Sequence, residues 1–179
     1  MMTSDYDLSF QRVVPVEPGD IWRCWTQPEH LMPWFCPLPW QTVECEIDLR
    51  AGGVFRTVML SPEGQRFPNL GTYLEIIPNR RLVWTNALEP GFRPSALLSE
   101  TPCEGFAFTA IIELEPVDAG TKYSARVLHA DEAGMKRHAA MGFEQGWGKA
   151  LDQMRAYIRT ASITPATART TRRMPPVAP

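Results

Sequence analysis

The stretch Phe106-Ala-Phe-Thr-Ala-Ile-Ile-Glu-Leu-Glu115, its turn at Asp118-Ala-Gly120, the run Thr121 to Ala130 and the segment Asp131 to Ile158 decide the fold. Phe106, Phe108, Ala110, Ile112 and Leu114 fall at every second position, which places them on one face of a strand. On the next strand Tyr123, Ala125 and Val127 share one parity, and His129 shares it with them. The period then changes. From Asp131, a good N-cap residue, Met135, Ala139, Phe143, Trp147, Leu151, Met154 and Ile158 recur at spacings of three or four, the signature of one long amphipathic helix. Gly142, Gly146 and Gly148 interrupt it, each costing about 1 kcal/mol relative to Ala. Close backbone approach to a sheet, or room left for a ligand, would offset that cost.

Working outward, Tyr6 to Val14 reads as a first strand that Pro15 ends. Glu17-Pro18-Gly19-Asp20 opens a short helix carrying Ile21, Trp22 and Trp25. A second short helix starts at Pro28-Glu29, and Pro33, Pro37 and Pro39 then break the chain into turns around Trp34, Phe35 and Trp40. Thr42 to Asp48 alternates, with Val43, Cys45 and Ile47 on one side. Ala51-Gly52-Gly53 turns it into Val54 to Leu60, where Phe55, Thr57 and Met59 share a face. Leu70 to Ile77 and Arg81 to Ala87 follow, and Leu88 to Glu104 is a long connection. Tight turns imply antiparallel neighbours, and the long helix must bury its apolar face against them. The expected class is α+β: a curved antiparallel β-sheet wrapped around a long C-terminal α-helix, with two short helices after the first strand and a cavity between sheet and helix. Residues 1–160 are expected to form one domain, and the Thr-, Arg- and Pro-rich stretch 161–179 a disordered tail.

Composition narrows the function. The 179 residues carry 18 Lys plus Arg against 20 Asp plus Glu, a net charge of −2, which gives no basic footprint for nucleic acid. No apolar run approaches the roughly 18 residues of a membrane helix, so no membrane partner is expected. Cys24, Cys36, Cys45 and Cys103 lack C-x-x-C pairing, which fits reduced thiols in a cytoplasmic protein. The 6 Trp and 17 Pro stand out.

Four segments carry a family resemblance. They are Ile21-Trp22 with Thr26-Gln27-Pro28-Glu29-His30-Leu31 and Trp34-Phe35; Asp48-Leu49-Arg50-Ala51-Gly52-Gly53; Gly71 to Thr85; and Gly146-Trp147 with Leu151. In that order they resemble the family named after the C-terminal domain of the activator of the heat-shock protein 90 ATPase, within the START-related SRPBCC superfamily of helix-grip folds. The resemblance spans roughly Tyr6 to Ile158. It implies a helix-grip fold and leaves function wide, because the family includes co-chaperone domains and small-molecule binders and the superfamily adds cyclases and lipid carriers. The chain has no room for the separate N-terminal domain of the full eukaryotic co-chaperone, so a stand-alone ligand-binding domain is expected and a chaperone partner is disfavoured.

No metal is expected, since His30, His129 and His138 are scattered and no Cys cluster has zinc spacing. Neither a G-x-S-x-G motif nor a phosphate-binding glycine loop occurs. His129 and His138 could face one cavity as polar groups titrating near neutrality, or serve as structural or exposed histidines. The candidate ligand-binding set is Trp25, Trp34, Phe55, Met59, Phe106, Phe108, His129, Met135, Phe143 and Trp147. The favoured expectation is non-enzymatic binding of an apolar aromatic small molecule between sheet and helix, without a cofactor and with a homodimer left open. The alternatives are a cyclase, dehydratase or hydrolase using His129 or His138 as acid or base, and a co-chaperone-like interaction module.

Overall fold

A computed structural model of the chain describes residues 6–95 and 106–161. The chain begins with β1 (Asp7–Val14) and the helices α1 (Pro18–Thr26) and α2 (Pro28–Leu31). Strands β2 (Gln41–Ile47), β3 (Val54–Leu60), β4 (Arg66–Ile77) and β5 (Arg81–Thr85) follow as a meander. A small hairpin, β6 (Leu88–Glu89) with β7 (Arg93–Pro94), precedes β8 (Phe108–Val117) and β9 (Gly120–His129). The last elements are α3 (Glu132–Ala140) and α4 (Phe143–Ala161). Seven strands form one open antiparallel sheet in the order β1-β9-β8-β5-β4-β3-β2, so β1 and β2 are its edges.

Burial follows the alternation strictly on β9 and less strictly on β8, where Ile111 of the opposite face is buried too. Ala110, Ile112 and Leu114 on β8 are buried, as are Tyr123, Ala125, Val127 and His129 on β9. On α4, Phe143, Ala150, Leu151 and Met154 are buried at helical spacing and complete the core with α1. Fully burying a side chain such as Leu151 contributes about 1.5–3 kcal/mol.

Four expectations need correction. The long helix is two helices: α3 ends at Ala140 and α4 begins at Phe143, because Gly142 sits at φ +82°, outside the right-handed region. Ala139, expected on the buried stripe, is exposed as a result. Strand β4 begins at Arg66, ahead of the expected Leu70, and includes Pro68 opposite Val58. Pro68 is tolerated because β5 pairs only from Thr72 onward, which leaves one side of β4 open there. On β2 a register shift between Thr42 and Glu44 interrupts the strict alternation and leaves Thr42 buried. The connection from Leu88 is described as far as Ser95, where Gly91 and Phe92 at positive φ turn the β6–β7 hairpin. Its remainder lies outside the described residues, as does the expected tail from residue 162, while Ala161 still belongs to α4.

Candidate functional site

The register of β8 and β9 pairs Phe108 with His129 at one end of the sheet. Two residues later Asp131 caps α3, its carboxylate accepting from the Gly134 N–H at 2.7 Å. Gly134 is buried, and a Cβ there would come within 3.3 Å of Phe106 Cβ, so α3 lies close over that ring. His138, one turn further on the same helix face, therefore meets both the sheet and its aromatics. The ring centroids of Phe106, Phe143 and Phe108 lie 4.9, 5.1 and 5.8 Å from that of His138.

Asn86 fixes the position of these phenylalanines. Its side chain donates to Phe106 O at 3.0 Å and accepts from Phe108 N–H at 2.8 Å, extending the β5–β8 ladder by one side chain. Thr85 Oγ1 donates to Phe108 O at 2.7 Å. Glu75 lies on the outer face and accepts from Arg81 Nε at 2.8 Å.

Between sheet and helices the rings form a closed circuit. Trp25 on α1 stacks on Trp147 of α4 with centroids 6.2 Å apart, and Trp147 meets Phe143 at 5.7 Å. Beyond Phe143 and His138 the circuit runs from Phe108 to Trp84 at 5.1 Å, then to Phe55 at 4.9 Å. Phe35 closes it, 6.0 Å from Phe55 and 5.9 Å from Trp25. Ring contacts run only between neighbours along this path, and among the described residues none crosses it. Such edge-to-face and offset pairs are worth about 0.5–1.5 kcal/mol each beyond their burial. Phe35, Trp84, Phe108, His138 and Trp147 are half-buried, whereas Trp25, Phe55 and Phe143 are buried.

The expected site residues divide accordingly. Trp25, Phe55, Phe108, Phe143 and Trp147 belong to the circuit, and so does His138. Trp34 is buried behind Trp25, edge-on at 5.0 Å. Phe106 and His129 pack on the far side of His138. Met59 lies on the inner face opposite Phe67 in register, toward the other end of β3, and Met135 is half-buried on α3. Phe35 belongs to the circuit without having been in the expected set, and the expected set also lacked Trp84 and, beside it, Tyr73. The latter two are inward on adjacent strands and opposite each other in register. Their Nε1 and hydroxyl are buried without a hydrogen-bond partner among the described residues, as is Trp34 Nε1. An unmet buried donor costs about 1–3 kcal/mol.

The two histidines are joined. His129 Nδ1 lies 2.9 Å from the carbonyl of Tyr6, and His129 Nε2 lies 3.0 Å from His138 Nδ1. Burial and the neighbouring His129 push the His138 pKa down to about 4, so its ring is neutral at physiological pH. Burial raises the thiol pKa values too, to about 12 for Cys24 and about 11 for Cys45, which removes them as nucleophiles near neutrality. Cys24, Cys36 and Cys45 form no disulfide. Among the described residues no cluster of His, Cys, Asp or Glu could hold a metal ion, and no helix is long and apolar enough to cross a membrane.

Two surface grooves are open, and the rings bound neither. One, of about 450 Å³, is lined by Met32, Pro33, Cys36, Leu38, Trp40 and the start of β2. The other, of about 370 Å³, lies between Val16, Glu17, Gly120 and Ile158. Above the first, Gln153 of α4 clamps the proline-rich loop. Its Nε2 donates to Cys36 O at 2.8 Å and Trp34 O at 3.1 Å, and its Oε1 accepts from Leu38 N–H at 2.8 Å.

Comparison with known proteins agrees with this architecture. The sequence profile of the family described as activator of Hsp90 ATPase homolog 1-like protein matches residues 15–159. A crystal structure of a protein from Nitrosomonas europaea is 39% identical with a TM-score of 0.82, over 90% of this chain and 100% of that one. A solution structure of an AHSA1-like protein from Aeromonas hydrophila shares the fold at 17% identity and TM-score 0.63, over 88% and 95%. A protein from Rhodobacter sphaeroides does so at 21% and 0.72, over 89% and 95%. No curated protein matches the chain.

Proposed function

The chain belongs to the activator of Hsp90 ATPase homolog 1-like family, and from that premise we propose that it binds an apolar aromatic small molecule between the sheet and the C-terminal helices, without transforming it. The observation that carries this reading is the ring circuit, several of its members half-buried, with the buried donors of Trp84 and Tyr73 left unmet beside it. A purely structural core would be expected to satisfy or exclude those donors. A ligand that is flat, mostly apolar and equipped with an acceptor would supply what Trp84 Nε1 and Tyr73 OH lack.

The rings touch one another, so entry requires neighbours to part. Each contact is weak enough for that, and the helix break at Gly142 separates α3, with His138, from the deeply packed α4. Calorimetric titration with a panel of bicyclic aromatics tests the reading. A saturable heat with a one-to-one end point supports it, and no saturable binding across the panel overturns it.

One observation favours a second reading, a protein-interaction module of co-chaperone type. The groove beside the edge strand β2 carries Leu38 at 57% exposure. A peptide adding to that edge would perturb Leu38 and Trp40 and leave the rings unmoved.

A further inference from the structure

A carbonyl oxygen only accepts, so the contact between His129 Nδ1 and Tyr6 O at 2.9 Å places the His129 proton on Nδ1. In the neutral tautomer its Nε2 is then a bare acceptor. The 3.0 Å contact to His138 Nδ1 requires a proton on that nitrogen, donated to His129. Neutral His138 has one N–H, and it is spent. Its Nε2 therefore carries an unshared lone pair, with no partner among the described residues, on a ring that borders Phe106, Phe108 and Phe143. The Tyr6 carbonyl, just ahead of β1, thus sets through two imidazoles the hydrogen-bonding character of one point in the aromatic wall.

We propose that His138 Nε2 selects a phenol: the aromatic ligand presents a neutral hydroxyl donor to this nitrogen, and His129 is the positioning residue that keeps it an acceptor. This rests on the binding reading above and adds the chemical class of the ligand. A carboxylate, when ionised, cannot donate to this nitrogen, and no Lys or Arg belongs to the ring circuit to receive its charge. The low pKa of His138 keeps the lone pair free at neutral pH. Ethers and hydrocarbons of the same shape would make the ring contacts and leave the nitrogen unmet.

Calorimetric titration with 2-naphthol and 2-methoxynaphthalene, paired with long-range ¹H–¹⁵N NMR of the histidines, tests the proposal. Wild type is expected to bind the naphthol roughly three- to tenfold more tightly, the scale of one hydrogen bond. His138→Phe should erase that preference while retaining the ether. His129→Phe, which frees His138 to move its proton, should weaken the preference. The NMR spectra should show His138 protonated on Nδ1 and bare on Nε2. Equal affinities in the wild type, or a His138 proton on Nε2, would overturn the phenol assignment while leaving aromatic binding in place. A wild type that binds neither probe would overturn the binding reading and the phenol with it.

Discussion

His138 Nδ1 on α3 lies 3.0 Å from Nε2 of His129 on β9, joining the most exposed helix of the fold to a buried residue of the strand beside the β1 edge. The register of one hairpin, the cap at Asp131 and the turn of α3 together produce that contact. Its first consequence is a pH dependence. Unfolded His138 takes up a proton below its ordinary value of 6.5, whereas the folded ring resists protonation to about 4. As pH falls from 6.5 to 4 the unfolded state binds more protons, so stability declines across that window and levels off below it. The ring is partly solvated, so the loss is about 1–2 kcal/mol after allowance for screening. Urea denaturation of wild type and His138→Phe at pH 7 and pH 4.5 checks this. The variant should lose less stability over the interval.

Trp84→Phe keeps the ring that bridges Phe55 and Phe108 and removes the unmet indole N–H. Because an unpaired buried donor costs about 1–3 kcal/mol, stability should be unchanged or slightly raised despite the smaller ring. Affinity for ligands with an acceptor should fall. Paired denaturation and titration separate these two effects.

Gln153→Ala removes the clamp on Trp34, Cys36 and Leu38. We expect a destabilisation of about 1–3 kcal/mol, since three backbone groups lose a partner and water can reach only some of them. Hydrogen exchange should rise first at the Leu38 amide.

Gly142→Ala places a side chain at φ +82°. The left-handed conformation costs an L-residue about 1–2 kcal/mol, so the midpoint of urea unfolding should fall. Gly148→Ala acts differently. Its Cβ would lie 3.0 Å from an Arg12 guanidinium nitrogen and so press on the Arg12–Asp152 ion pair. The gain in helix propensity, about 1 kcal/mol, offsets much of that, so a smaller change than at Gly142 is expected.

The strands were legible because their inner faces alternate without exception from Phe106 to Leu114 and from Tyr123 to His129, and sheet parity then brings His129 inward. The two short helices were legible from Pro18 and Pro28. Proline misled at Pro68, where it looks like a break and is accommodated by an open strand side. The stripe through Phe143 misled at Gly142, because helical spacing persists across a break whose only trace is one positive φ. Within the candidate site the residues of the first and last elements were readable from spacing. Trp84 and Tyr73 were not, since their donors become conspicuous only when three-dimensional packing leaves them without acceptors. Strand parity offered Asn86 as an inward polar residue without showing its partners, and Gln153 was silent, for their bonds reach backbone groups 20 and more positions away in the chain.

The central claim is that the ring circuit receives a small aromatic molecule. Mapping chemical shifts of the aromatic and indole groups during titration with 2-naphthol tests it most directly. Saturable shifts are expected at Trp84, Trp147 and His138 that follow one binding curve, with Trp40 unmoved. Saturable shifts confined to Leu38 and Trp40, or none at all, would contradict it.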